Sequence, residues 1–339
     1  MIQLHPLGTH RARRRTWAVV LAGGDGQRLT STIEAWLGEP RPKQYCAFVG
    51  KRSMLQHTLD RARKMVPAER MVTVIAPEHE RYLSDAVRQP KPGHWIRQPR
   101  NRGTAAGVYL ALAHILARDP QAIVVLMPSD HYVHPEATFV RTMWEAIATA
   151  HSAPDRILLA GAPADRAESD YGWIVPGSQV AARCGTRSLR AVRQFIEKPP
   201  PSEARDLYRN GALWNTMITI TAARTLWTLG RAWYPALIDP FDTLRRMLRV
   251  VHARPGTARR ARSFLQQAYT SLPQHCFSRH ILARAHQRTV VLPLTGMEWC
   301  DWGRPDRIEE TLRSLGKRPA FADSADEMEE ANLALGQVI

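Results

Sequence analysis

Long hydrophobic runs are missing from this sequence of 339 residues. The longest apolar stretches, near residues 17–22 and 123–127, are far shorter than the roughly 20 residues that a membrane-spanning helix needs. No apolar segment precedes a cleavage site near the N-terminus, so no secretory signal is visible. We therefore expect a cytoplasmic protein that does not act in a membrane.

Cysteine is also scarce, with four residues at Cys46, Cys184, Cys276 and Cys300. None of them forms a Cys-x-x-Cys pair, so the spacing indicates neither a structural zinc site nor a disulfide framework. We predict reduced thiols.

Acidic residues are few relative to basic ones, at 31 Asp and Glu against 47 Lys and Arg, which gives a formal net charge of +16. Such a charge attracts polyphosphates, including nucleic acids. The arginines are spread along the chain, however, and no nucleic-acid-binding module is recognisable. An enzyme that handles phosphorylated substrates would benefit from the same field, so we predict no specific nucleic-acid partner.

Apolar runs alternate with helical patterns along the chain. Strands are predicted at residues 17–21, 71–76, 123–127, 157–161, 213–220 and 289–293. Helices are predicted at 53–65, with Ser53 as the N-cap, and at 79–87, 105–116 and 305–315. This alternation is typical of an α/β fold whose largely parallel sheet carries helices on its faces.

The first predicted strand runs into a glycine-rich loop, LAGGDGQRL at residues 21–29. Gly23, Gly24 and Gly26 allow the backbone to approach a ligand that no Cβ would tolerate, most often a phosphate. Arg28 adds a guanidinium suited to phosphate oxygens. A plain strand-to-helix turn would also explain these residues. The P-loop is excluded because the next lysine is Lys43, and the dinucleotide fingerprint because the glycine spacing is wrong, which makes a dinucleotide-dependent oxidoreductase a poor fit.

Followed by RPKQ at 41–44, this loop resembles the signature of the sugar-1-phosphate nucleotidyltransferases, most closely the mannose-1-phosphate guanylyltransferases. Further similar motifs follow in order between residues 17 and 315, namely PSDH at 128–131, YGWIV at 171–175, EKP at 197–199, WNTM at 214–217 and EWCDWG at 298–303. The resemblance implies a Rossmann-like three-layer (glycosyltransferase-A-like) fold with a mixed, mostly parallel central sheet. It implies a catalytic domain at 16–316, between a basic tail at 1–15 and an acidic tail at 317–339.

The resemblance also implies roles for individual residues. The implied catalytic residues are Arg28, Lys43 and Asp130. The nucleotide would be bound by Leu21, Ala22, Gly23, Gly24, Gly26, Arg28, Lys43, Gln98, Gly103 and Thr104. The sugar phosphate would be bound by Tyr171, Gly172, Glu197, Lys198 and Asn215, and Mg²⁺ by Asp130 and Asp301.

Local sequence alone leaves simpler explanations open for several of these residues. Thr104 could cap the helix that follows it, and its helix N-terminus could instead offer free N–H groups to an anion. A lone Asp at the end of a strand would more often be a helix cap, but Asp130 lies too early to cap the helix that begins at 134–136. Asp301 could be a loop carboxylate bonded to its own backbone. Glu197 and Lys198 could form a surface ion pair.

The implied reaction is attack of a sugar-1-phosphate oxygen on the α-phosphorus of a nucleoside triphosphate, with release of pyrophosphate. GTP and mannose-1-phosphate, giving GDP-mannose for polysaccharide biosynthesis, are the favoured substrates. The chain has Gln98 where the guanylyltransferase pattern has Glu, Gly103 where it has Asn, and Met217 where it has Gly. Enzymes that use dTTP, UTP or CTP, and a non-catalytic nucleotide-sugar sensor, therefore stay open. A homodimer is one oligomeric state that the sequence leaves open.

Overall fold

A computed structural model describes residues 15–87 and 89–322. Its strands are β1 (Thr16–Ala22), β2 (Met71–Ile75), β3 (His94–Arg97), β4 (Ile123–Pro128), β5 (Tyr132–His134), β6 (Ile157–Pro163), β7 (Gly172–Cys184), β8 (Arg187–Glu197), β9 (Leu213–Ala222), β10 (Thr289–Pro293) and β11 (Glu298–Cys300). Its α-helices are α1 (Thr30–Leu37), α2 (Met54–Arg63), α3 (Leu83–Ala86), α4 (Gly103–Arg118), α5 (Glu136–Ser152), α6 (Pro201–Arg209), α7 (Ala223–Trp233), α8 (Pro235–Ala253), α9 (Ala258–Ser271) and α10 (Pro305–Ser314).

Nine strands form one mixed sheet in the order β3-β2-β1-β4-β9-β6-β10-β8-β7. The β1, β2, β3 and β4 neighbours are parallel, as are β6 and β10, whereas β9 and β8 run antiparallel to the strands beside them. Seven strands consequently run in one direction. Strands β2 and β4 are buried along their whole length, as parallel strands covered on both faces should be.

Helices cover both faces of this sheet. On one face, α2 and α5 contribute side chains such as Leu59 and Phe139 to one apolar cluster. On the other face, α4, α7 and α8 contribute side chains such as Leu112, Leu226 and Phe241 to a second. The expected three-layer α/β fold with a mixed, mostly parallel sheet is confirmed.

The sheet topology places two loops at one edge. Since β1 and β4 are parallel neighbours, their carboxyl ends meet, and the Ser129 N–H donates to the Leu21 carbonyl across 3.1 Å. The glycine loop after β1 and the PSDH segment after β4 are therefore adjacent. Ligands of open α/β sheets bind beyond the carboxyl ends of the strands.

A separate two-stranded ribbon joins two distant parts of the chain. Strands β5 and β11 pair antiparallel, with Tyr132 opposite Cys300 and His134 opposite Glu298. This register brings the segment before β5, which holds Asp130, next to the segment after β11, which holds Asp301. The two carboxylates thus come together although more than 160 positions separate them.

The six predicted strands and three of the four predicted helices lie within a few residues of observed elements. Helix α2 starts at Met54, and the Ser53 hydroxyl caps it by accepting the Gln56 N–H at 3.0 Å. The predicted helix at 79–87 is instead a 3₁₀ turn, Pro77–Tyr82, followed by the short α3. Among the described residues, no helix has the length and apolar character needed to cross a membrane.

The two predicted tails fall largely outside the described residues. Residues 1–14 and 323–339 are not described. Within the described part, Phe321 is buried and its ring meets those of Trp36 and Phe48. Packing therefore extends at least to Phe321, and the domain boundaries at 16 and 316 stay predictions.

Candidate active site

The glycine loop is held by the segment that carries Lys43. The Gln44 side-chain amide donates to the carbonyls of Ala22, at 3.0 Å, and Gly24, at 2.8 Å. The Tyr45 hydroxyl donates to the same Ala22 carbonyl at 3.2 Å. Gln44 was not among the predicted site residues, although it belongs to the RPKQ motif, and its role is to fix the loop conformation.

Gly26 is required by its backbone conformation, whereas Gly23 leaves room for a neighbouring side chain. Gly26 has φ +62°, a left-handed conformation that L side chains rarely adopt. A Cβ on Gly23 would lie 2.9 Å from the Gln98 amide nitrogen and 3.4 Å from the Ala76 nitrogen. The loop therefore packs without side chains against the segment that follows β3.

Lys43 is a buried cation between two acidic segments. Its ammonium lies 3.0 Å from Asp130 Oδ2 and donates to the backbone carbonyl of Asp301, while only 4% of the residue is exposed. Burial alone would raise the pKa of the Asp130 carboxyl, but Lys43 and His131 hold it below its ordinary value. Asp130 is thus ionised at neutral pH.

The Asp301 carboxylate accepts four hydrogen bonds. Its Oδ1 receives the Tyr171 hydroxyl at 2.7 Å, the Gly303 N–H at 2.8 Å and the Arg307 guanidinium at 2.9 Å. Its Oδ2 receives the Arg28 guanidinium at 3.1 Å. Although burial opposes ionisation, Lys43 and Arg307 hold the pKa of Asp301 well below its usual range.

Arg307 and Asp170 complete this ion network and were not predicted as site residues. Arg307 also pairs with Glu168 at 2.5 Å and lies over the Tyr171 ring, 4.5 Å from its centroid. Arg28 contacts Asp170 at 3.1 Å. No sequence pattern marks Arg307, because it lies in the first turn of α10 like an ordinary helix residue. Two of its partners, Glu168 and Tyr171, lie more than 130 residues earlier in the chain.

The predicted sugar-phosphate residues form a second cluster. Gly172 lies opposite Glu197 in the β7–β8 ladder, and a Cβ on Gly172 would lie 2.6 Å from Glu197 Oε2 and 3.2 Å from Asn215 Cβ. The Lys198 N–H donates to the Tyr171 carbonyl at 3.1 Å. Tyr171 connects this cluster to Asp301, so the five residues lie together.

Within this cluster, Glu197 Oε2 is buried and has no hydrogen-bond partner among the described residues. Burial raises the pKa of the Glu197 carboxyl, although Lys198 and Arg279 act in the opposite direction. Asn215 is already engaged at both ends, donating to Ser278 at 3.3 Å and accepting the Met217 N–H at 2.9 Å.

Three non-glycine residues beside these clusters adopt left-handed backbone conformations. They are Lys198 at φ +53°, Met217 at φ +60° and Trp302 at φ +47°. Such conformations cost free energy and concentrate at functional sites. Met217 thus adopts a backbone conformation that glycine favours, at a position where the family pattern has glycine, and it adds a side chain.

A cavity of about 650 Å³ collects most of the predicted nucleotide-binding residues. Its lining includes Leu21, Gly23, Gly24, Gln98, Gly103, Thr104, Asp130, His131 and Met217. Ala22, Gly26, Arg28 and Lys43, which are also predicted nucleotide-binding residues, are not among its lining residues.

The helix start at this cavity is partly occupied by other backbone groups. The Thr104 hydroxyl accepts the Phe277 N–H at 2.8 Å, and the Ala105 N–H donates to the His275 carbonyl at 3.1 Å. The Gly103 N–H donates to Asn101 Oδ1 at 3.0 Å. Thr104 thus tethers a distant segment instead of capping its own helix, and these two N–H groups are not free.

Comparison with known proteins agrees with this architecture. A family model described as nucleotidyl transferase matches residues 17–317. The chain belongs to the nucleotidyl transferase family. The resemblance that the motifs indicate is therefore confirmed.

The individual relatives share limited sequence identity with this nucleotidyl transferase. It is 30% identical over 225 residues to the xanthan biosynthesis protein XanB of Xanthomonas campestris, a match covering 65% of this chain and 45% of XanB. It is 28% identical over 203 residues to the mannose-1-phosphate guanylyltransferase RfbM of Salmonella typhimurium, covering 58% and 40%. The matches thus span less than half the length of these relatives.

A solved structure shows the same fold. The Thermus thermophilus protein titled mannose-1-phosphate geranyltransferase superposes with a TM-score of 0.71 at 24% identity. The superposition covers 87% of this chain and 78% of that one. At this identity the likeness concerns the fold.

We expect Asp301→Asn to destabilise the fold by about 3 kcal/mol at neutral pH, since it breaks a buried ion network. The folded-state pKa of Asp301 is lowered, so its contribution is fully present above the unfolded value of about 4 and is lost as the pH falls through the folded-state pKa. The difference in unfolding free energy between wild type and variant should therefore decrease below about pH 4. Urea unfolding at a series of pH values measures it.

Asp170→Asn is the matched control, because Asp170 also pairs with Arg28 but its side chain is 41% exposed. We expect this exposed pair to contribute at most about 1 kcal/mol. Equal losses of unfolding free energy in the two variants would contradict the role of Asp301 as the centre of a buried ion network. A loss in Asp301→Asn that stays the same in acid would contradict it too.

Proposed function

We propose that this nucleotidyl transferase moves a nucleotidyl group from a nucleoside triphosphate to a sugar-1-phosphate and releases pyrophosphate, with GTP and mannose-1-phosphate as the favoured pair. The family match supports the class of reaction. The relatives include a mannose-1-phosphate guanylyltransferase and proteins of xanthan and alginate biosynthesis. Their names support mannose-1-phosphate as the sugar substrate and a role in making polysaccharide precursors. A cytoplasmic location and a homodimer accompany this proposal as predictions.

One observation carries the proposal, namely that Lys43 is buried between Asp130 and Asp301 beside the glycine loop. The three groups come from three separate segments. A cation and two carboxylates lie together near the carboxyl ends of β1 and β4. The cation can attract phosphate oxygens, and the carboxylates can bind a cation that offsets phosphate charge. The backbone of the glycine loop and Arg28 would hold the triphosphate at this edge.

The proposed reaction requires little of the protein beyond positioning the two substrates. A phosphate monoester has a second pKa of about 6, so the attacking sugar phosphate is largely dianionic at neutral pH and needs no general base. Two anions must nevertheless be brought into contact. Lys43 and Arg28 would offset the charge on the transferring phosphoryl region.

Asp130 and Asp301 fit a hard cation such as Mg²⁺. Both carboxylates are held ionised, and carboxylate oxygens are the ligands that Mg²⁺ prefers. The Arg28 guanidinium, which bonds Asp301 Oδ2, is on a side chain that is 47% exposed and could turn toward a phosphate. Asp130 and Asp301 would hold such an ion, which would supply neutralisation of phosphate charge.

Glu197 supports a sugar site next to this edge. Its buried Oε2 lacks a partner among the described residues, and a sugar hydroxyl is a suitable donor. Gly172 leaves the space beside this carboxylate open, since any Cβ there would contact it at 2.6 Å. Lys198, exposed at the end of β8, would meet the phosphate of the same sugar.

A non-catalytic nucleotide-sugar sensor is the alternative. The departures from the family pattern at Gly103 and Met217 motivate it, because both lie at the cavity. The retained Arg28, Lys43 and Asp130 favour catalysis instead.

Lys43→Ala and Asp130→Asn should each lower turnover at least ~100-fold, the scale of losing one preorganised electrostatic group. The measurement is kcat for pyrophosphate release by the purified full chain. Lys51→Ala, at an exposed lysine nearby in the sequence, should leave kcat unchanged. Near-normal turnover in both folded site variants would exclude these roles.

Glu197→Gln should raise the KM for the sugar phosphate about 10-fold or more, because it removes a charge-assisted hydrogen bond to the sugar. The KM for the triphosphate should stay within about twofold of wild type. Asp206→Asn, at an exposed carboxylate on α6, is the control and should change neither constant. An equal rise in both KM values would argue against a sugar-specific role.

The reaction itself is tested by a grid of nucleoside triphosphates against mannose-1-phosphate, glucose-1-phosphate and related sugar-1-phosphates, with Mg²⁺ present. We expect pyrophosphate release with GTP and mannose-1-phosphate to exceed the other combinations at least ~10-fold, since hydrogen-bonded sites discriminate strongly. A different productive combination would correct the base or the sugar. No turnover from folded protein that still binds a triphosphate would support the sensor.

A further inference from the structure

A second cavity lies behind the two carboxylates, and nothing above assigns it a role. Its volume is about 370 Å³, within the range of small-molecule sites. We name it the rear cavity and define it by lining residues of α2, the β5 segment and the C-terminal part: Arg61, His131, Tyr132, Glu136, Trp302 and Lys317.

Four of these side chains carry buried polar atoms that lack a hydrogen-bond partner within residues 15–87 and 89–322. The atoms are Arg61 Nε, His131 Nδ1, Tyr132 Oη and Trp302 Nε1. Buried polar groups are nearly always paired in folded proteins, because an unpaired one costs about 1–3 kcal/mol. These four atoms belong to residues that line one cavity, and a molecule bound there would supply the missing partners.

Arg61 gives this cavity a buried positive charge. The residue is 6% exposed, and its Nε lies 3.8 Å from Glu136 Oε2, beyond hydrogen-bond length. Glu136 is shared with Lys64, whose ammonium also contacts it. One carboxylate therefore serves two cations, and the charge of Arg61 is incompletely compensated. An anion in the cavity would complete the pairing.

The cavity wall also offers an aromatic surface. The Tyr132 and Trp302 rings stack with centroids 4.8 Å apart and planes 11° from parallel. Phe48 meets the edge of Trp302 at 5.9 Å. Aromatic rings of a ligand pack favourably against such a surface in offset or edge-to-face arrangements.

We propose that the rear cavity binds a small organic anion, a phosphate or carboxylate joined to an aromatic ring. Arg61 holds the anionic group from inside, Lys317 attracts it at the rim, and the Tyr132 and Trp302 pair receives the ring. Two other lining residues, Arg52 and His57, add donors on the α2 side.

The rear cavity adjoins the candidate active site. His131 lines both cavities, and its Nε2 lies 3.8 Å from Asp130 Oδ1. Trp302 directly follows Asp301 in the chain. A molecule in the rear cavity would therefore contact the immediate neighbours of both carboxylates.

Phenyl phosphate and benzoate are suitable probes, since each joins one aromatic ring to one anionic group. Isothermal titration calorimetry of the full chain should detect binding of at least one of them, and the stronger of the two identifies the preferred anion. Inorganic phosphate and phenol, which lack the ring and the charge respectively, should each bind at least ~10-fold more weakly. Absence of binding by both probes would overturn the proposal.

Variants locate the bound probe. Arg61→Gln should weaken binding at least ~10-fold, and Arg63→Gln, an exposed arginine on the same helix, should leave it within twofold. Lys317→Gln at the exposed rim gives a second test should Arg61→Gln fail to fold, with an expected loss of about threefold. Unchanged binding in the folded rear-cavity variants would overturn the proposal.

Lys198→Ala separates the rear cavity from the proposed sugar-phosphate site and should leave probe binding within twofold. Loss of binding in this variant would show that the probe occupies the active-site cleft, and would also overturn the proposal. The measurement is of binding and requires no turnover. Its outcome is therefore independent of whether the substrate grid identifies the proposed reaction.

Discussion

The buried ammonium of Lys43 is the constraint on which the rest of the site depends. A cation that is 4% exposed must be paired, and Asp130 and the Asp301 carbonyl provide the pairing. The lysine lies in a segment whose next residue, Gln44, holds the glycine loop. One charge in the interior therefore ties together the loop after β1, the end of β4 and the segment after β11.

Asp301 extends this arrangement to the other half of the molecule. Through Tyr171 it reaches the cluster of Gly172 and Glu197, and through Arg28 it reaches the glycine loop. The proposed nucleotide and sugar sites would thus share one carboxylate. The rear cavity adjoins the same ion network through His131 and Trp302, which directly follow Asp130 and Asp301 in the chain.

Much of the fold could be predicted from local patterns. Strand β10 was predicted at its exact bounds because five apolar or β-branched residues lie between clear breaks, and Ser53 was predicted as the cap of α2 because a hydroxyl precedes an amphipathic run. The glycine loop could be located because three glycines within four residues follow a predicted strand. These features depend on residues close in sequence, and periodicity and turn chemistry report on such residues directly.

Which groups meet was decided by the tertiary structure. The sequence alone could not distinguish Asp301 as a loop carboxylate from Asp301 as a hub, because its partners Arg28 and Tyr171 lie more than 120 positions away. No local sequence pattern marked Arg307 as a partner of Asp301. Thr104 accepts the Phe277 N–H, although a helix cap was equally consistent with the sequence. Residue types and backbone tendencies are determined locally. Ion pairing and burial depend on strand order and register, which only the complete packing of the sheet specifies.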